Sequence, residues 1–208
     1  MTVGPTGSAE VFIVDDDPLV RNALSIVLSR AGYQVSGFAE GASFLTAAKS
    51  RTPACVILDV QMPGQSGLDI LKELNAQHYP APIFIISGTG DIPMAVEAIK
   101  SGAFDFIEKP FDATTVITRV REASEAWARR ANGVDSLPRT FPGYDQLTSR
   151  ELDVLSQIAA GSSNKQAGRD LGISPRTIEV HRARIMEKLG AKNAADLVRI
   201  VLSESRSA

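Results

Sequence analysis

The chain has 208 residues, 44% of them hydrophobic and 22% charged, values of an ordinary globular protein long enough for one large domain or two modest ones. No apolar run approaches the roughly 20 residues of a membrane span, the first residues lack the basic and apolar regions of a secretory signal, and the single Cys55 excludes an internal disulfide, so a cytoplasmic location is expected. Charge is uneven: residues 1–130 hold 11 Lys/Arg against 15 Asp/Glu, a net of −4, and residues 131–208 hold 11 against 9, a net of +2, which hints at a polyanion partner for the second half.

In chain order, short apolar runs alternate with amphipathic segments. The runs are Val11–Val14, a weaker Tyr33–Gly37, Cys55–Leu58, Ile83–Ile86 and Phe104–Ile107. Being short and rich in β-branched or aromatic residues, they suit strands buried on both faces of a parallel sheet. Helical patterns follow at Leu19–Ser29, Ala42–Lys49, Leu68–Leu74, Met94–Lys100 and Val116–Trp127. Five strands alternating with five helices predict a doubly wound α/β domain over residues 1–130. Asp17 is the predicted cap of the first helix, with Pro18 at its first position; Asp91 and Asp112 are the expected caps of the fourth and fifth.

Residues 131–144, with Gly133, Pro138, Pro142 and Gly143, read as a linker. Residues 145–208 are all helical in pattern. Thr148 with Glu151, and Ser163 with Gln166, predict capping boxes. Gly172 ends one helix, and Ser174 with Pro175 begins the next, whose face carries Ile178, Ile185 and Leu189. A last helix holds Leu197, Val198, Val201 and Leu202. The expectation is a four-helix domain built around a helix-turn-helix.

In an open parallel sheet, ligands bind beyond the carboxyl ends of the strands. Asp15 and Asp16 follow the first predicted strand, Asp59 ends the third, Ser87 follows the fourth, and Lys109 lies just past the fifth. Crowded carboxylates attract a hard cation, and Mg²⁺ fits because it prefers oxygen ligands and keeps bound water. A carboxylate held there is able to attack phosphorus and form an aspartyl phosphate. The metal and a lysine would stabilise the charge on the transferring group. Asp17 reads better as a helix cap, and Cys55 as a small buried hydrophobe. Phe106 is open between plain core and a moving part.

Val14-Asp15-Asp16-Asp17, Asp59-Val60-Gln61-Met62-Pro63-Gly64, Ser87-Gly88 and Lys109-Pro110-Phe111 together resemble the CheY-like receiver family, in order and spacing, across about residues 9–130. The resemblance implies that Asp59 is the phosphoacceptor for a histidine kinase. It implies that Asp16, Asp59 and the carbonyl of Gln61 hold Mg²⁺ directly, with Asp15 acting mainly through bound water. Lys109 would pair with the phosphoryl group, Ser87 would be the switch hydroxyl, and Phe106 the aromatic that moves with it. Such a domain catalyses only its own phosphorylation and dephosphorylation. Gln61 and Thr89 would border the site and influence the lifetime of the phosphate.

In the second half, Leu147-Thr148-Ser149-Arg150-Glu151, Asn164-Lys165, Leu171-Gly172-Ile173-Ser174, Thr177-Ile178-Glu179-Val180-His181 and Met186-Glu187-Lys188-Leu189 resemble the LuxR-type DNA-binding domain. With Gly90–Val96, the whole looks most like the FixJ branch of the NarL-type response regulators. A helix-turn-helix lays its second helix in the major groove, here Pro175–Leu189. Arg176, Arg182 and Arg184 are candidate phosphate contacts, and Glu179, Val180 and Ala183 candidate base contacts. Lys165 and Thr177 lie near helix starts, where phosphates are welcome. Glu151 is open between a cap and a functional role, and His181 between a packed, hydrogen-bonded residue and a DNA contact. The expected partners are a histidine kinase and double-stranded promoter DNA, with a homodimer on phosphorylation and no membrane. The final helix would serve as dimer interface or as monomer core. A phosphatase of the haloacid dehalogenase type is a rival reading, but those use Asp-x-Asp, and Gln61 stands at the second aspartate position. A module for RNA or protein is a second rival, which the helix-turn-helix pattern disfavours.

Overall fold

The computed structural model describes residues 9–88, 92–131 and 141–202. The chain divides into two compact units, residues 1–127 and residues 128–208, each considered by itself.

In the first unit, strands β1 (Glu10–Val14), β2 (Gln34–Phe38), β3 (Cys55–Asp59), β4 (Ile83–Ser87) and β5 (Asp105–Glu108) alternate with helices α1 (Pro18–Arg30), α2 (Gly41–Ala48), α3 (Gly67–Glu73), α4 (Ile92–Lys100) and α5 (Ala113–Ala131). All pairings are parallel, in the order β2-β1-β3-β4-β5. Every residue of β3 and β4 is buried, as their unbroken apolar runs require. The edge strand β2 is only partly covered, and its pattern is correspondingly weak. Both β2 and β5 sit one residue later than the apolar runs suggest. Phe104 is the instructive case: it packs on Phe84, ring centroids 5.4 Å apart, yet stands before the strand because Phe84 pairs with Asp105.

Asp17 caps α1 by accepting from the Leu19 N–H at 2.8 Å, and Asp112 caps α5 through the Thr115 N–H at 2.8 Å. Asp91 and Thr89 lie outside the described residues.

The second unit has a 3-10 turn at Tyr144–Gln146 and helices α6 (Ser149–Ala159), α7 (Asn164–Leu171), α8 (Pro175–Leu189) and α9 (Ala194–Leu202). Most of the expected linker, residues 132–140, lies outside the described residues. Its last part is packed: Phe141 is buried and stacks edge-on against Tyr144. The box of Thr148 and Glu151 forms in both directions. The second box is only half made. Ser163 accepts from the Gln166 N–H, but the Gln166 side chain turns to Asp170 and Arg169, one helical turn or less away. Gly172 closes α7 at φ 67°, the left-handed conformation that glycine adopts without a Cβ clash. Leu197 and Val201 of α9 are monomer core, while Val198 is half-exposed. Among the described residues no helix is long and apolar enough to cross a membrane.

Candidate functional site

The sheet order reverses direction at β1, so β1 and β3 both deliver residues to the crevice beyond their carboxyl ends. The three-residue turn after β1 carries Asp15 and Asp16, and β3 ends on Asp59. One carboxylate oxygen from each of Asp15, Asp16 and Asp59 lies within 4.8 Å of the others. Asp15 and Asp59 are buried, and Asp16 is exposed. All-oxygen donors from a partly solvated mouth suit a hard divalent cation that retains water, so these residues fit Mg²⁺.

Lys109 enters from the end of β5. Its Nζ lies 2.8 Å from Asp59 Oδ1 and 3.3 Å from Asp15 Oδ2. Its backbone N–H donates to the Ser87 carbonyl at 2.7 Å, which ties this corner to β4. The Lys109–Pro110 peptide bond is cis. Asp59 Oδ2 accepts from the Gln61 N–H at 3.1 Å, and Asp15 Oδ1 from the Asp17 N–H at 2.8 Å. Burial pushes the Asp59 carboxyl above the usual range, and the Asp15 charge adds to this; Lys109 and the Gln61 N–H pull the other way without cancelling it. Burial works against the Lys109 ammonium, but Asp59 and Asp15 outweigh it and hold its pKa above the ordinary value. The two shifts agree in kind: the site is over-supplied with negative charge, and Lys109 is firmly a cation.

Ser87 is buried at the end of β4, one residue beyond Ile86, which pairs with Asp59. Among the described residues its hydroxyl makes a long contact of 3.4 Å to the Gly88 carbonyl. Phe106 is half-buried and lines an open groove of about 230 Å³ with Pro110, Phe111 and Arg119. Arg119 pairs with the buried Asp105 and reaches the Phe106 carbonyl at 3.4 Å.

Two neighbours of the site gave no signal in the sequence. Gly67 opens α3 against the back of Asp59: a Cβ there would lie 2.4 Å from the Asp59 carbonyl oxygen. Arg21 Nη1 donates to the Asp15 carbonyl at 2.6 Å. A backbone acceptor has no residue type, so no spacing rule points to it.

In the second unit, α8 exposes Arg176, Glu179 and Ala183, with Val180 and Arg182 partly exposed, and Lys165 is exposed at the start of α7. These side chains are accessible to a partner. Two candidates are placed otherwise. Thr177 is fully buried, its hydroxyl 2.8 Å from Ser174 Oγ, so its side chain secures the helix start rather than facing a groove. Arg184 is turned inward, 17% exposed, with Nε 3.6 Å from Glu151 Oε1. Asn164 Nδ2 donates to Glu179 Oε1 at 3.3 Å, linking α7 to the exposed face of α8.

Glu151 is fully buried and is a capping residue of α6, and it also holds two cations of α8. Oε2 accepts from the Thr148 N–H at 2.7 Å and from Lys188 Nζ at 2.7 Å. His181 is buried, and neither ring nitrogen finds a hydrogen-bond partner among the described residues. Of the two open readings it matches the packed residue, though without a hydrogen bond among the described residues. Burial first, and then the charges of Arg150, Arg184 and Lys188, lower its pKa to about 3.

Residues 11–121 match the family model for the response regulator receiver domain. Residues 145–201 match that for bacterial regulatory proteins of the luxR family. The chain is 41% identical over 195 residues to the transcriptional regulatory protein FixJ of Azorhizobium caulinodans, covering 94% of this chain and 92% of that one. It is 39% identical over 190 residues to the response regulator protein TmoT of Ectopseudomonas mendocina, covering 91% and 86%. A crystal structure of full-length FixJ from B. japonicum matches with a TM-score of 0.55 and 37% identity, covering 98% of this chain and 100% of that one.

Proposed function

This chain belongs to the response regulators that join a receiver domain to a LuxR-family DNA-binding domain, and we propose that Asp59 is the phosphoacceptor through which it controls DNA binding. The chain is thus a regulator of transcription of the FixJ-like kind rather than an enzyme acting on outside substrates. The observation that carries the assignment of Asp59 is its ion pair with Lys109, at 2.8 Å, inside a cluster of three carboxylates at the strand ends.

The chemistry follows from that arrangement. A phosphohistidine of the partner kinase presents phosphorus to Asp59. A carboxylate oxygen forms the new P–O bond as the P–N bond breaks, and the imidazole nitrogen leaves with the electron pair and takes up a proton. Lys109 follows the phosphoryl oxygens, to which it offers a fixed positive charge. Asp16, Asp59 and the Gln61 carbonyl would hold Mg²⁺, with Asp15 acting through water; when bound, the ion offsets charge on the transferring oxygens. Water later hydrolyses the acyl phosphate and restores Asp59.

Phosphorylation adds acceptor oxygens that draw Ser87 inward, and Phe106 fills the space so freed. The added charge shifts the population of two receiver states by its differential stabilisation of them. The output is a homodimer reading two half-sites of double-stranded DNA about one helical turn apart. Lys165, Arg176 and Arg182 contact phosphates, and Glu179, Val180 and Ala183 face the bases. A DNA partner makes the cytoplasm its place of action.

The test measures DNA affinity and mass by light scattering, with and without beryllofluoride, on the parent chain and on Asp59→Asn. Tighter DNA binding and a doubled mass are expected for the parent alone. An Asp59→Asn chain that responded like the parent would exclude Asp59 as the switch.

A further inference from the structure

We propose that Arg21 is a positioning residue for the divalent-cation site, acting by fixing the backbone that presents Asp16. The inference rests on the reading that Asp15, Asp16 and Asp59 bind Mg²⁺.

The β1–α1 turn is only Asp15-Asp16-Asp17, yet it supplies two of the three carboxylates. Asp15 is held from every side. Its N–H donates to the Phe38 carbonyl at 3.1 Å, its Oδ1 accepts from Asp17, and its Oδ2 faces Lys109. Asp16 is exposed, so packing does not hold its carboxylate and the course of the turn's backbone sets where it starts from. Arg21 holds that backbone at both flanks of Asp16. Its main-chain N–H donates to the Asp17 carbonyl at 3.1 Å, and its guanidinium donates to the Asp15 carbonyl at 2.6 Å. Residue 16 is thereby strung between two carbonyls fixed by one helical residue.

The charge of Arg21 makes this testable, because it predicts the opposite of its geometry. A guanidinium near a cation site repels the cation, so by Coulomb's law alone its removal would tighten Mg²⁺ binding. If Arg21 orients the ligand turn, its removal loosens Asp16 and weakens binding. Loss of an outer partner that orients a ligand typically costs about 10-fold or more in metal affinity.

The experiment is isothermal titration of Mg²⁺ into the full chain as parent, Arg21→Ala, Arg21→Lys and Arg51→Ala. Arg51 pairs with Glu10 at the far end of β1 and lies over the Phe12 ring, so its loss perturbs the domain away from the site. About 10-fold weaker binding is expected for Arg21→Ala, an affinity nearer the parent for Arg21→Lys, which keeps a donor, and no change for Arg51→Ala. The phosphorylation rate of Arg21→Ala with a small-molecule phosphodonor should recover at high Mg²⁺, which general destabilisation would not produce. Unchanged or tighter Mg²⁺ binding in both Arg21 variants overturns the role of Arg21 while leaving the cation site intact. Equal weakening in Arg51→Ala also overturns it. A parent chain that binds no Mg²⁺ overturns both the cation site and the role of Arg21.

Discussion

Lys188, in the last turn of α8, donates to Glu151 at 2.7 Å, and that same carboxylate caps the start of α6. One fully buried carboxylate therefore joins α8 to the start of α6. The carboxylate also faces Arg184. Lys188 and Arg184 keep part of their surface in water, so losing the Glu151 charge costs less than breaking a fully buried pair. Glu151→Gln should destabilise the second unit by about 2 kcal/mol and weaken DNA binding, while phosphorylation of Asp59 continues at the parent rate. Urea denaturation beside a phosphorylation assay reads both.

Lys109→Met removes the cation that Asp59 and Asp15 share. Phosphoryl charge then lacks its fixed counter-charge, and the link from Asp59 to β5 is cut. The expected outcome is loss of the DNA-binding response to beryllofluoride. Mg²⁺ binding should survive and tighten a few-fold, because an ammonium no longer competes for the carboxylates. Titration calorimetry that found Mg²⁺ binding abolished would contradict this division of labour.

His181 predicts an acid sensitivity confined to the second unit. Its pKa is lowered from about 6.5 in the unfolded chain to about 3 in the folded one. Below about pH 6.5 the unfolded chain takes up a proton that the folded one refuses, so stability falls as pH falls, by about 1.4 kcal/mol per pH unit for one proton. The loss continues toward pH 3, where the folded form also protonates. His181→Leu should flatten that slope. NMR of α6–α9 during urea titrations at several pH values would show it.

On the proposed reading, the exposed residues of α8 divide into phosphate contacts and base contacts. Arg176→Ala and Arg182→Ala should each weaken binding to all sequences alike and lower the salt dependence by about one counterion. Glu179→Ala should relax preference at one base pair, at a cost of about 1–3 kcal/mol in discrimination. Asn164→Ala, which frees the Glu179 carboxylate, should relax the same position less. Selection of preferred sites from random duplexes distinguishes these outcomes.

The receiver site was legible because its parts are side chains at strand ends, and the sheet brings strand ends together whatever lies between them. Asp15, Asp16, Asp59 and Lys109 converge for that reason. The same logic failed where a partner is backbone or where two faces of a helix compete. Arg21 and Gly67 act on main-chain atoms, which no motif records. Thr177 and Arg184 share the polar character of the other candidate DNA contacts, but one is drawn into the helix cap and the other to Glu151. The edge strand β2 gave a weak pattern because it is only half covered. Gln166 fits a capping box by spacing, yet nearby Asp170 and Arg169 claim its side chain.

Gly67 leaves no room for even a methyl group behind Asp59, and its N–H donates to the Val60 carbonyl at 2.9 Å. The main chain of Asp59 thus rests against a wall of peptide. Such a wall cannot be reshaped by ordinary substitution, because main-chain atoms are common to every residue. Room for a different side chain at this site is therefore left at its open rim, where Gln61 is exposed.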